Sequence, residues 1–181
     1  MTELINLSKK ILLLGDPSVG KTSLIRKFVH NMFDDNYIIT LGAKVSSKRL
    51  FFDLSDRGMK IDMKMMIWDV MGQKEYETIH QSAYQGAQGA LIVCDITRRD
   101  TLDNLINWIS GLFNVTGQIP IVLIGNKVDL QFAKQFEMED LINVANTFAA
   151  PTFFTSAKTG ENVEASFSKL GENLVKHDYS I

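Results

Sequence analysis

An α/β fold built on a mostly parallel sheet is predicted by three observations. Short apolar runs alternate with stretches of helical period, the pattern of strand–helix–strand units. Two runs, Ala90–Cys94 and Ile119–Ile124, are continuously apolar, as strands covered on both faces are. The region from Ala43 to Trp68 instead alternates with period two and supplies one antiparallel element.

Taken in order, the first strand is Lys10–Leu14, ending at Gly15. A helix follows from about Lys21 to His30, with Leu24, Ile25 and Phe28 on one face. A polar, irregular stretch covers Asn31 to Thr40. In the period-two region, Met59, Ile61, Met63, Met65 and Ile67 alternate with Lys60, Asp62, Lys64 and Met66, which predicts a long hairpin turning at Ser55-Asp56-Arg57-Gly58. At about 3.3 Å per residue its second strand spans roughly 30 Å and is expected to overhang its neighbours. Pro120 stands at the very start of its strand, where a missing N–H is tolerated. Between the two buried strands, Leu102, Leu105, Ile106, Ile109, Leu112 and Phe113 mark a helix expected to be capped by Asp100 or Thr101. Met138, Leu141, Ile142, Ala145 and Phe148 mark another. A strand at Thr152–Thr155 and a helix carrying Val163, Phe167, Leu170 and Leu174 close the chain. No repeat or linker divides it, so residues 1–181 read as one domain with a core of about 9–176.

Composition narrows the class. The chain has 181 residues, 45% hydrophobic and 22% charged, enough for one sizeable core. Its 19 basic and 21 acidic side chains give a net charge of −2, without the basic excess that nucleic-acid binding needs. The lone Cys94 offers neither an internal disulfide nor a cysteine-based zinc site. No apolar run approaches the roughly 20 residues of a membrane span, and the N-terminus lacks a signal-peptide pattern. The expectation is a cytoplasmic protein.

Chemistry enters at Gly15-Asp16-Pro17-Ser18-Val19-Gly20-Lys21-Thr22, which fits G-x-x-x-x-G-K-[ST] between a strand and a helix. Glycines let backbone N–H groups wrap phosphate oxygens, and the helix N-terminus adds partial positive charge. Lys21 bridges the β- and γ-phosphates, and Thr22 offers its hydroxyl to Mg²⁺. Asn126-Lys127-Val128-Asp129, at the carboxyl end of a buried strand, selects the base. A carboxylate there accepts from the N1–H and amine of guanine, whereas adenine opposes it with a lone pair. Thr155-Ser156-Ala157-Lys158 supplies a second base-side loop whose amides could face the guanine O6. In Trp68-Asp69-Val70-Met71-Gly72-Gln73, Asp69 could hold Mg²⁺ through water, Gly72 could donate to the γ-phosphate, and Gln73 could orient the attacking water.

In this order the motifs resemble those of the Ras-like small GTPases, most closely the Rab branch, over about Lys9 to Lys176. The resemblance extends to Gly89-Ala90-Leu91-Ile92-Val93-Cys94-Asp95-Ile96-Thr97. It implies a P-loop G domain: a six-stranded, mostly parallel sheet with one antiparallel strand, flanked by about five helices. It implies a switch that binds GDP and GTP with Mg²⁺ and hydrolyses GTP. Gly15, Ser18, Val19, Gly20, Lys21, Thr22 and Ser23 would hold the phosphates. Thr22, Thr40 and, through water, Asp69 would hold the metal. Gln73 and Lys21 would carry catalysis. Asn126, Lys127, Asp129, Ser156, Ala157 and Lys158 would form the guanine pocket, with Phe33 or Tyr37 over the ribose. Contacts from the γ-phosphate to Thr40 and Gly72 would order two switch loops that hydrolysis releases.

An exchange factor, a GTPase-activating protein and effectors are the implied partners of a monomer. With no arginine finger of its own, the chain is expected to turn over on the order of 10⁻⁴ to 10⁻³ per second, the rate known for Ras itself. Pro17 stands where many relatives carry glycine, Val70-Met71 replace Thr-Ala, and Lys74 replaces an acidic residue. Those departures motivate an alternative, a GTP-binding scaffold without useful hydrolysis. A P-loop kinase is a third class, opposed by the guanine loops. The aromatic triad of many Rab proteins appears as Val45, Trp68 and Ala83, so Rab-type effector recognition does not transfer. The hairpin, tipped by Asp53, Ser55, Asp56 and Arg57, is several residues longer than the family norm. The terminal His177-Asp178-Tyr179-Ser180-Ile181 has no prenylation cysteine and Thr2 excludes myristoylation, so this chain shows no direct lipid anchor: the expectation is that a tail was removed, that membranes are reached only through partners, or that the protein is not a membrane regulator.

Overall fold

A computed structural model describes residues 3–31, 44–70 and 82–180. Its six strands are β1 (Glu3–Leu14), β2 (Lys44–Leu54), β3 (Met59–Asp69), β4 (Gly89–Asp95), β5 (Ile121–Asn126) and β6 (Thr152–Thr155). They form one sheet in the order β2-β3-β1-β4-β5-β6, parallel throughout except for β2 against β3. Among the described residues five helices flank it: α1 (Lys21–His30), α2 (Arg99–Asp103), α3 (Leu105–Thr116), α4 (Met138–Asn146) and α5 (Val163–Tyr179). The architecture is the one expected from the sequence.

Each face of the sheet carries its own core. On one, Leu24, Ile25 and Phe28 of α1 and Phe167, Leu170 and Leu174 of α5 cover Ile11, Leu13, Met63, Met65, Leu91 and Val93. Phe28 and Phe167 stack with centroids 3.9 Å apart. On the other, Leu105, Ile109 and Leu112 of α3 and Leu141 and Ala145 of α4 cover Leu12, Leu14, Ile92 and Leu123. β4 and β5 are buried along their whole length, which explains their continuous apolar runs.

The structure alters several sequence expectations. β1 begins at Glu3 rather than Lys10, because Ile5 and Leu7 alternate with exposed Leu4, Asn6 and Ser8 and so join the ladder. Consequently β3 does not overhang alone: β1 pairs with it from Met59 to Asp69, and both project beyond β4, which meets β1 only at Ile11–Leu14. The hairpin turns at Ser55–Arg57 and Gly58, where it was placed. Neither Asp100 nor Thr101 caps a helix. α2 starts after Arg98, and the Thr101 hydroxyl donates back to the Arg98 carbonyl at 2.7 Å. Ile106 and Ile142 sit on exposed faces, 47% and 39% accessible, while their neighbours Leu105 and Leu141 point inward. Cys94 is buried mid-strand, and burial raises its thiol well above the ordinary range.

Candidate nucleotide-binding site

The loops after β1, β4, β5 and β6 meet at the carboxyl edge of the sheet, where β3 also ends at Asp69 and where open α/β folds bind ligands. The first, residues 15–20, needs glycine at both ends. Gly15 takes φ +141 and a Cβ there would run into the Val93 carbonyl oxygen; Gly20 takes φ +103 and a Cβ would run into the Asn126 amide. Between them Ser18 takes φ 68, a left-handed turn that concentrates backbone N–H groups on one side.

Lys21 opens α1, 7% exposed, with its ammonium donating to the Gly15 and Asp16 carbonyls at 2.8 and 2.9 Å. Burial pulls it down to about 8, against the opposing pull of Asp69 and Asp16. One residue on, the Thr22 hydroxyl donates to Asp69 Oδ2 at 2.5 Å. Asp69 ends β3 and is itself 3% exposed. A hydroxyl and a carboxylate, with no nitrogen or sulfur donor, are the hard oxygen ligands Mg²⁺ takes. Among the described residues no group of three His, Cys, Asp or Glu side chains could hold a metal by itself.

On the base side, Asn126 links three segments. Its Nδ2 donates to the Val19 carbonyl at 3.0 Å, while its Oδ1 accepts from the Thr155 hydroxyl at 3.0 Å and the Ala157 amide at 3.3 Å. Lys127 adopts φ 73, and its ammonium lies 2.6 Å from Asp95 Oδ2. The exposed Asp129 accepts from the Ser156 hydroxyl at 2.6 Å, which fixes the carboxylate beside the second base-side loop. Val19, Asn126, Thr155 and Ala157 are therefore joined by hydrogen bonds, Gly20 packs closely under the Asn126 amide, Ser156 is tied to Asp129, and Gly15 is tied to Lys21. Lys158 is exposed at its margin, and Ser23 lies half-buried in the first turn of α1. Thr40, Gly72, Gln73, Phe33, Tyr37, Met71 and Lys74 lie outside the described residues.

Four supporting residues escaped the sequence reading. Asp16, 5% exposed, accepts from Trp108 Nε1 at 2.8 Å and Asn104 Nδ2 at 2.7 Å. Asp95 anchors Lys127, and Thr155 orients Asn126. Arg98 donates to the carbonyl of Pro17 at 2.9 Å. Asp16 carried a signal, a carboxylate inside a phosphate loop, but its partners are too distant in sequence to be inferred.

A strand, a glycine-bounded loop of inward amides and a helix opening on a buried lysine define a P-loop nucleotide-binding protein. A family model described as Ras family matches residues 10–176. "Ras-related protein Rab-13" of Canis lupus familiaris is 34% identical over 92% of this chain and 79% of its own length. "Ras-related protein Rab-2B" of Dictyostelium discoideum is 34% identical over 92% of this chain and 80% of its own. "Ras-related protein Rab-21" of Geodia cydonium is 34% identical over 92% and 71%. The chain belongs to the Ras family: it is a Rab-like small GTPase, a GTP-binding molecular switch that hydrolyses GTP. No described helix is long and apolar enough to cross a membrane.

Proposed function

We propose that the cluster around Asn126 and Lys21 is the site of that switch, with the base at one end and the phosphates at the other. The observation that carries this reading is Asn126 itself. One side chain ties the phosphate loop at Val19 to the base-side loop at Ala157, so both halves of a nucleotide meet a single rigid frame.

In this reading the amides from Ser18 to Thr22 and the Lys21 ammonium bind the phosphates, which hold the lysine charged. Asp129 accepts from the guanine N1–H and amine, kept in place by Ser156, and Lys127 and Ala157 line the base. Thr22 and Asp69 would hold Mg²⁺, which neutralises phosphate charge when bound. Thr40 and Gly72 respond to the γ-phosphate, and Gln73 orients water for attack. The 1–181 chain acts as one domain, met by exchange factors, activating proteins and effectors through its switch loops.

Single-turnover hydrolysis of preloaded GTP tests the catalytic assignment. Gln73→Leu is expected to slow the reaction at least tenfold while leaving GTP affinity unchanged; equal rates would remove Gln73 from catalysis. Competition tests the pocket: GDP and GTP are expected to displace a fluorescent GDP analogue, and ATP to fail.

A further inference from the structure

The phosphate loop is gripped by its carbonyls. Lys21 donates to those of Gly15 and Asp16, Asn126 to that of Val19, and Arg98 to that of Pro17 at 2.9 Å. Bound phosphates would draw the Lys21 ammonium to themselves, which leaves Asn126 and Arg98 as side chains that still hold the loop in the loaded protein. Asn126 belongs to the motif that frames the base. Arg98 belongs to no nucleotide motif.

Arg98 acts on one peptide. The Pro17 carbonyl shares its peptide unit with the Ser18 N–H, and in a trans unit the two point in opposite directions. Gripped at its oxygen, this peptide turns the Ser18 N–H to the other side, the side on which loop amides meet phosphate in the reading above. The same unit is prone to turn over. It rotates about Pro17 ψ and Ser18 φ, and Ser18 sits at φ 68, a region that residues with a Cβ avoid. A flip would relieve Ser18 and put a carbonyl where the phosphates need a donor. Proline fixes only its own φ, so it does not prevent that flip. The bond from Arg98 opposes it.

The guanidinium is mounted on a fixed turn. The Arg98 amide donates to the Asp95 carbonyl at 2.9 Å, and the Arg98 carbonyl accepts from the Thr101 amide and hydroxyl at 3.1 and 2.7 Å. Beside it, Arg99 sends its side chain elsewhere, to Asp103 and Asp140 at 3.4 and 3.2 Å. Of these two adjacent cations it is Arg98 that reaches the loop.

We infer that Arg98 is a positioning residue for phosphate binding. It holds the peptide between Pro17 and Ser18 so that the Ser18 amide is presented to the phosphate chain, and its charge, acting through the carbonyl, makes that amide a stronger donor. The inference rests on the reading that loop amides bind the phosphates.

The test uses the full chain loaded with a fluorescent GDP analogue, comparing Arg98→Ala and Arg98→Lys with Arg99→Ala as the charge-matched control. Arg98→Ala is expected to speed release about tenfold, the loss of one charge-assisted hydrogen bond. Arg98→Lys, which keeps a charged donor, is expected to recover most of that loss, and Arg99→Ala to leave release unchanged. In amide-resolved NMR spectra of the GDP-bound protein, the Ser18 resonance is expected to move upfield in Arg98→Ala, while the Leu24 amide, bonded to the Gly20 carbonyl in α1, stays in place. Arg98→Gln gives the same two readouts should the alanine variant not fold. Unchanged release, an unmoved Ser18 resonance, or equal acceleration by Arg99→Ala each overturns the inference. A wild-type chain that binds no GDP would overturn the site reading as well, and that failure is visible before any variant is made.

Discussion

Trp108 donates its indole N–H to the Asp16 carboxylate at 2.8 Å, so a residue of α3 holds the phosphate loop from behind. Asn104 takes the second carboxylate oxygen at 2.7 Å. The loop's shape is therefore set by the helix packed beside it as well as by its own glycines. Trp108→Phe leaves a buried carboxylate oxygen without its donor, which costs about 1–3 kcal/mol. Denaturant unfolding at fixed GDP concentration measures the loss, and GDP dissociation is expected to accelerate in parallel. Unchanged release would mean that the loop holds its form without the helix.

Asp69→Ala removes the acceptor of the Thr22 hydroxyl. If these two residues hold Mg²⁺, metal affinity falls about 10–100-fold, as it does when a ligand loses its orienting partner. Titrating Mg²⁺ against the rate of GDP release reads that shift directly. In wild-type protein, chelation by EDTA is expected to speed release, and in the variant to add little.

Burial sets Lys21 at about 8, and bound phosphates would raise it again. Above pH 8 the empty site therefore releases a proton that binding must restore, and affinity falls as pH rises. The expected decline in GDP affinity is about tenfold between pH 7 and 9. Calorimetry in buffers of different ionisation enthalpy would show proton uptake approaching one per nucleotide at pH 9. Folding of the nucleotide-free protein has the opposite trend: its ordinary unfolded lysine binds more protons between pH 8 and 10.5, so stability rises across that window.

Gly171 lies in α5 where a Cβ would sit 2.5 Å from Phe52 Cζ and 3.1 Å from Met65 Cε. Gly171→Ala gains helix propensity, worth about 1 kcal/mol, but forces the helix off the hairpin. Overpacking costs about 1–3 kcal/mol, so the net effect is expected to be destabilising. Phe52→Leu in the same chain should recover part of the loss, and a double-mutant cycle by thermal unfolding measures the coupling.

The order of elements and the nucleotide motifs were legible because each is local: the loop is one run of eight residues, and the buried strands announce themselves by unbroken apolar character. What escaped is long-range. Asp16 meets Trp108, and Pro17 meets Arg98, across wide stretches of sequence that no spacing rule connects. The early start of β1 escaped for a different reason. Leu4 is apolar yet 60% exposed, so the alternation of Ile5 and Leu7 with polar neighbours is broken at the end where it should begin. Ile106 and Ile142 misled similarly, since an apolar residue beside a buried one extends a helical pattern without sharing its face.

The unbroken ladder between β1 and β3 also limits how the molecule can signal. A slip of one residue would turn Met63, Met65 and Ile67 out of the core and Lys64 into it. A slip of two would draw Phe52 away from the hollow that Gly171 leaves for it. The long hairpin is thus a fixed gauge, locked to the C-terminal helix at one face and to β1 along its edge. A frame held this way is expected to keep its register in both nucleotide states, so a partner that grips the hairpin would read identity rather than state.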